Sequence, residues 1–342
     1  MDKSSDFYKS LPKVDLHRHL EGSMRLTTML EIARTHGITV PIGPNPFCNL
    51  IGMETSEPDT VQNFLAKFNT LRMFYRSPEI IHRVTREAVE DAAKDNVRHL
   101  ELRFAPVALS RAERFPMGQV MDWVCESAFE AAREFGLRVI LVASVNRHES
   151  VELAEQVAWL AAARIGIGIL GLDLAGDEAE FSAEPFLGIF KEAQQSGLKL
   201  TIHAGEWAGA ANVREAMEGF NAERIGHGVR VLEDADTVAM ARERKTPFEV
   251  CVTSNLQTGV FHSLREHPIM KMLKAGLNVT LGSDDPSISQ ITLSDEYQHA
   301  CEDLGMEQKK LKHCILAAAR ASFLPKADCD ILVEQLKSGL SI

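Results

Sequence analysis

LPKVDLHRHLEGS, residues 11–23, opens on a short apolar run, Val14-Asp15-Leu16, and leads straight into two histidines one residue apart, His17 and His19. Residues i and i+2 of a strand project from the same face, so this pair can chelate one ion without bending the backbone. The pair alone decides little: with 12 histidines in 342 residues, a His-x-His arises by chance about 0.4 times per chain. Its place decides more. It stands at the C-terminal end of a first strand, the rim on which barrel active sites are built.

Further along, short apolar runs alternate with longer helical patterns. Strand candidates lie at 13–17, 98–104, 138–144, 168–174, 198–203, 223–227, 248–252 and 278–283. Most are rich in Val, Ile and Leu and are bounded by Gly, Pro or Asn, as buried parallel strands are. Helical periodicity covers 78–95, 117–136, 149–164, 184–196, 208–219 and 234–244, with Gly136, Gly197 and Gly276 placed as C-caps before the next strand. Eight strands with intervening helices predict an α/β fold, a (β/α)8 TIM barrel formed as a single domain over residues 1–342. The long stretch after the first strand, about 24–97, reads as a helical lid insertion that includes a pattern at 61–75. A doubly wound open sheet is the alternative, but no Gly-rich phosphate loop follows the first strand.

Composition narrows the partners. A net charge of −11 argues against nucleic acid, whose phosphates need clustered Lys and Arg. No apolar run is long enough to span a bilayer, and residues 1–13 lack the apolar core of a signal peptide. The six cysteines, at 48, 125, 251, 301, 314 and 329, are scattered without a Cys-x-x-Cys pair, a pattern that fits a reducing, cytoplasmic setting. No protein partner is evident.

The remaining polar motifs also fall where strands end. His203-Ala-Gly-Glu206 closes the fifth, and the small residues there would let a substrate approach the backbone. His227, between Gly226 and Gly228, closes the sixth, and Asp284-Asp285-Pro286 the eighth. A glutamate in a helix's first turn, or paired acids before a proline, can be simple helix-start chemistry. Gathered at one rim, however, these pieces supply three nitrogen ligands and one oxygen ligand, with a carboxylic acid and an imidazole left over. That set suits zinc with a position open to water. No lysine lies between Gly171 and Gly176, so a bridging carbamylated lysine for a second metal has no candidate there.

With those residues in place, the chain resembles the adenosine deaminase family from about residue 10 to 325. The shared pieces are LPKVDLHRHLEGS (11–23), FLAKF (64–68), LELRFAP (100–106), LDLAGDE (172–178), HAGE (203–206), RIGHG (224–228), CVTSN (251–255) and GSDDP (282–286). The resemblance implies that His17, His19, His203 and Asp284 hold one Zn2+ per chain, that Glu206 gives a proton to purine N1, and that His227 stands beside the reacting water. It further implies that Gly176 meets N3 through its backbone amide, that Asp285 faces N7, that His19 and Glu21 contact substrate, and that Phe64, Leu65 and Phe68 form an apolar gate.

The implied reaction is hydrolysis of a C–N bond, not a peptide bond, converting adenosine (and 2′-deoxyadenosine) to inosine and ammonia. HLEG, with Glu21, also occurs among relatives acting on free adenine or on other 6-aminopurine nucleosides such as aminofutalosine, which makes those the alternative substrates. If Glu206 is the acid, burial and its neighbours must raise its pKa. Because N7 is an acceptor, the same is expected of a buried Asp285. Two other classes compete: a two-metal barrel hydrolase of esters or cyclic amides, and a non-catalytic binding protein of the same fold.

Overall fold

The computed structural model describes residues 3–39, 51–53 and 58–342. Eight parallel strands follow one another around a barrel in chain order: β1 (Lys13–His19), β2 (Val97–Phe104), β3 (Arg138–Asn146), β4 (Ile169–Ala175), β5 (Lys199–Ala204), β6 (Arg224–His227), β7 (Pro247–Val250) and β8 (Asn278–Leu281). Each strand pairs with the next. The seam between first and last is closed beyond β8, where Arg18 bridges Asp284 and the amides of His19 and Asp284 donate to the carbonyls of Asp284 and His17, both at 2.8 Å. The (β/α)8 expectation is therefore met.

All eight predicted strands agree within two residues at both ends. The run at 248–252 is instructive at its end, two residues past the observed strand, because Val252 already belongs to a helix, Val252–Gln257. The Glu296 carboxylate accepts from the amides of Val252 and Thr253 at 2.7 and 3.0 Å, which turns the chain out of the strand despite its apolar residues. β8 likewise stops at Leu281, and Asp284 and Asp285 lie in the turn after it. Gly136, Gly197 and Gly276 all take positive φ beyond helix ends, as expected of C-terminal caps.

Between β1 and β2 the described helices are Leu26–His36, Val61–Leu71 and Pro78–Lys94. Residues 40–50 and 54–57 of the expected insertion, Cys48 among them, lie outside the described residues.

The barrel interior is unusually polar for this architecture, where branched apolar side chains commonly fill the layers. Arg103 on β2 donates to Glu249 on β7 at 2.8 Å and lies 3.4 Å from Asp173 on β4. Arg224 on β6 donates to Glu249 and to Glu101 on β2, at 2.5 and 2.6 Å. The far end is sealed by Phe323, whose ring lies 3.5 Å from the Arg224 guanidinium and whose amide donates to Glu101 at 2.7 Å. These charges are fully buried and mutually paired, the condition under which burying them is tolerable.

Candidate active site

Four imidazoles and a carboxylate converge at the C-terminal rim. Nε2 of His17 and Nε2 of His19 lie 3.3 and 3.4 Å from the same oxygen, Oδ1 of Asp284. Donor atoms of His17, His203 and His227 form a second triplet, all within 4.8 Å of one another. Tetrahedral ligands held at about 2.0–2.1 Å from a zinc ion stand roughly 3.3–3.4 Å apart. The spacing on Asp284 is thus that of ligands sharing one ion.

The hydrogen bonds on the outer side of the rings agree. His17 Nδ1 donates to Glu249 at 2.9 Å, and His203 Nδ1 donates to Asp173 at 2.9 Å. A carboxylate on Nδ1 takes that proton and leaves Nε2 as an inward lone pair, the usual arrangement of a metal-binding histidine. Consistent with this, His17 Nε2 is buried without a hydrogen-bond partner among the described residues. His227 differs: its Nδ1 meets the Asn255 amide at 3.2 Å rather than a carboxylate, and its Nε2 stands farther from Asp284, at 3.8 Å.

The backbone is strained where it delivers these groups. His227 and Asp284 have φ of +57° and +58°, a left-handed conformation that costs a non-glycine residue on the order of 1–3 kcal/mol. For Asp284 the seam hydrogen bonds hold that conformation. Gly205, in contrast, is small for packing rather than for substrate approach, contrary to expectation. Its φ is +72° and a methyl group there would lie 2.3 Å from Val213.

Three carboxyl groups face the same cavity with raised pKa values. Burial, then the charges of Asp284 and Glu178, pushes Glu206 well above the usual range. Burial followed by Asp284, Glu21 and Glu206 does the same to Asp285, whose Oδ1 has no partner among the described residues. Burial lifts Glu21 to about 7 even though it accepts from the Ala105 amide at 2.7 Å. Asp284 goes the other way: burial opposes its charge, but the imidazoles around it, His17 first, hold its pKa well below the usual range.

A cavity of about 410 Å³ opens above these groups, within the ~300–1,000 Å³ typical of small-ligand sites. Every site residue expected from the sequence lines it except His17, which lies fully buried beneath. Phe64, Leu65 and Phe68 form its apolar wall, and Gly176 lies on the β4 side. Glu206 Oε2 stands 3.5 Å from His227 Nε2.

Several residues at the site drew no role from the sequence. Glu178 accepts from the amides of Gly205, Glu206, Trp207 and Ala208, at 2.6–3.1 Å, and so clamps the loop carrying Glu206. Asp173 and Glu249 orient the histidines. Asn255 bridges Glu206 and His227. Asp173, Glu178 and Asn255 lie inside shared motifs and could have been flagged there; the signal for Glu249 was only an acid in an apolar strand.

The sequence profile of the adenosine deaminase family matches residues 12–338. The chain is 33% identical to an adenosine deaminase of Klebsiella pneumoniae over 332 residues, covering 96% of this chain and 99% of the relative. It is 32% identical to an adenosine deaminase of Clostridium perfringens, covering 97% and 99%. Among solved structures, the adenine deaminase of Arthrobacter aurescens superposes with a TM-score of 0.89 at 25% identity, covering 97% of this chain and all of that one. An Arabidopsis N6-mAMP deaminase superposes with a TM-score of 0.85 at 27% identity, covering 97% and 99%.

Proposed function

Because this chain belongs to the adenosine deaminase family and is an aminohydrolase of that type, we propose that it deaminates adenosine, and 2′-deoxyadenosine, to the corresponding inosine and ammonia. The observation that carries this reading is the facing pair Glu206 and His227, 3.5 Å apart, on the wall of the cavity that also exposes Asp284. An acid, an imidazole and a metal-binding carboxylate then bear on one carbon of a bound ring.

His17, His19, His203 and Asp284 are the proposed holders of one zinc ion. His227 is left out because no carboxylate orients its outer nitrogen. When bound, such an ion supplies a Lewis acid that can bring the pKa of water from about 15.7 to near 7. Adding water at C6 pushes electron density onto N1, and the raised pKa of Glu206 keeps a proton there to deliver. As the C6–O bond forms and the C6–N bond breaks, one proton of the water leaves with the amine as ammonia and the other returns to the Glu206 carboxylate as the C6 carbonyl forms. Asp285, protonated for the same reason, donates to N7. Gly176 offers its amide to N3. Glu21, which lines the cavity together with His19, binds the ribose.

The helical segment within about 24–97 acts as the lid of a single domain, 1–342, with Phe64, Leu65 and Phe68 shielding the ring from solvent. We place the enzyme in the cytoplasm: Cys125, Cys251, Cys301, Cys314 and Cys329 are free thiols, and no described helix is long and apolar enough to cross a membrane. The partner is a small-molecule purine nucleoside; neither nucleic acid, membrane nor a protein partner enters this reading.

The second reading is deamination of free adenine or of another 6-aminopurine nucleoside such as aminofutalosine. The likeness to an adenine deaminase favours it. An absorbance assay comparing adenosine, adenine and 6-amino nucleosides with bulky 5′ groups, with metal measured in the same sample, tests the choice. Turnover of adenosine supports the first reading, and ammonia release from adenine alone replaces it with the second.

A further inference from the structure

We infer that Asn255 and His267 are positioning residues that set which ring nitrogen of His227 carries its proton. The backbone amide of Ile269 can only donate, and it lies 3.3 Å from His267 Nδ1. That nitrogen is therefore an acceptor, so the neutral His267 ring carries its proton on Nε2. His267 is buried, and burial holds its pKa down to about 3, so the ring is neutral at ordinary pH.

His267 Nε2 lies 3.3 Å from the side-chain oxygen of Asn255. The proton there settles the orientation of the amide, because reversing it would set one N–H against another. The Asn255 NH2 group must then face the site, where it donates to His227 Nδ1 at 3.2 Å and to Glu206 Oε1 at 3.4 Å. With Nδ1 accepting, the proton of neutral His227 sits on Nε2, the atom 3.5 Å from Glu206 Oε2 and 3.8 Å from Asp284 Oδ2.

This gives each group at the site a direction. His227 presents an N–H to the cavity, suited to stabilising negative charge growing on the incoming oxygen, rather than a lone pair. Glu206 accepts on Oε1, which leaves Oε2 as the seat of its transferable proton. Neither Asn255 nor His267 needs to touch substrate for this. His267 lies behind the site against Phe261, with ring centroids 5.3 Å apart.

The inference rests on the proposed deaminase reaction only for the expected rate effect; the tautomer is a property of the folded protein. The test is a two-bond 1H–15N correlation spectrum of zinc-loaded protein labelled with 15N-histidine, the His227 signals being assigned by their loss in H227Q. The expected pattern is Nε2–H for both His227 and His267. In N255D the carboxylate accepts on both sides, so His227 should change to Nδ1–H while kcat falls at least about tenfold and KM changes by less than about threefold. H267Q keeps a donor facing Asn255 and should retain Nε2–H on His227. Finding Nδ1–H on His227 in the wild type, or Nε2–H retained in N255D, would overturn the assignment whatever the substrate proves to be.

Discussion

Oε2 of Glu206 and Nε2 of His227 face each other across 3.5 Å, one near the start of the loop after β5 and the other on the last residue of β6. Register brings them together, since Ala204 pairs directly with His227. Glu178 then fixes the loop that carries the acid, through four backbone amides. The pair is thus held by the barrel and not by the two side chains alone.

Glu206→Gln tests the role of the acid. The amide keeps the shape of the side chain but has no transferable carboxyl proton. Metal content should be unchanged and kcat should fall by about 10²–10⁴-fold, the usual contribution of a general acid. Elemental analysis and steady-state kinetics on the same preparation check both halves, and near-full activity would refute the assignment.

The pH dependence follows from the same group. Burial and the neighbouring carboxylates raise the Glu206 pKa, so the active, protonated form persists above the ordinary carboxylate range and is lost as pH rises through the raised value. kcat/KM should therefore fall on the alkaline side. In E206Q that alkaline limb should disappear from the residual rate. A wild-type rate that keeps climbing with pH contradicts the proton-donor role.

Gly22→Ala tests the orientation of Asp285 without removing a polar group. The new methyl would come within 1.9 Å of Asp285 Oδ1 and must turn that carboxyl away from the cavity. KM should rise about tenfold or more, the loss of one hydrogen bond involving a buried polar group. Circular dichroism should show the fold retained, and an unchanged KM would place Asp285 outside the substrate contacts.

Glu249→Ala removes the acceptor shared by His17, Arg103 and Arg224. Leaving two arginines short of a partner in the barrel interior should cost about 3–5 kcal/mol of stability. Freeing His17 Nδ1 should weaken metal binding by about 10–100-fold. Urea denaturation and competition with a chelator measure the two effects separately. A loss under 1 kcal/mol would assign the network little structural weight.

How much of this was legible in the sequence depended on how locally each feature is determined. Most of the eight strands announce themselves as apolar runs bounded by Gly, Pro or Asn, because a strand buried on both faces needs little else, whereas the short run at 223–227 is legible mainly from its position. The end of β7 did not, since the turn at Val252 is imposed by Glu296, some 44 residues away. His17, His203 and Asp284 could be named because strand ends place them. The partners that orient them could not: Glu249 looks like any acid in a short strand until the barrel closes and brings it beneath His17. Asn255 and His267 are harder still, because their importance lies in the direction of hydrogen bonds that only coordinates reveal.

The most direct test of the central claim is to strip the protein of metal, restore zinc stepwise and follow ammonia release from adenosine. Activity should rise linearly to one ion per chain and then level, and H17A and D284A should fail to recover. Full turnover by the metal-free protein, or a plateau reached only at two ions, would contradict that claim.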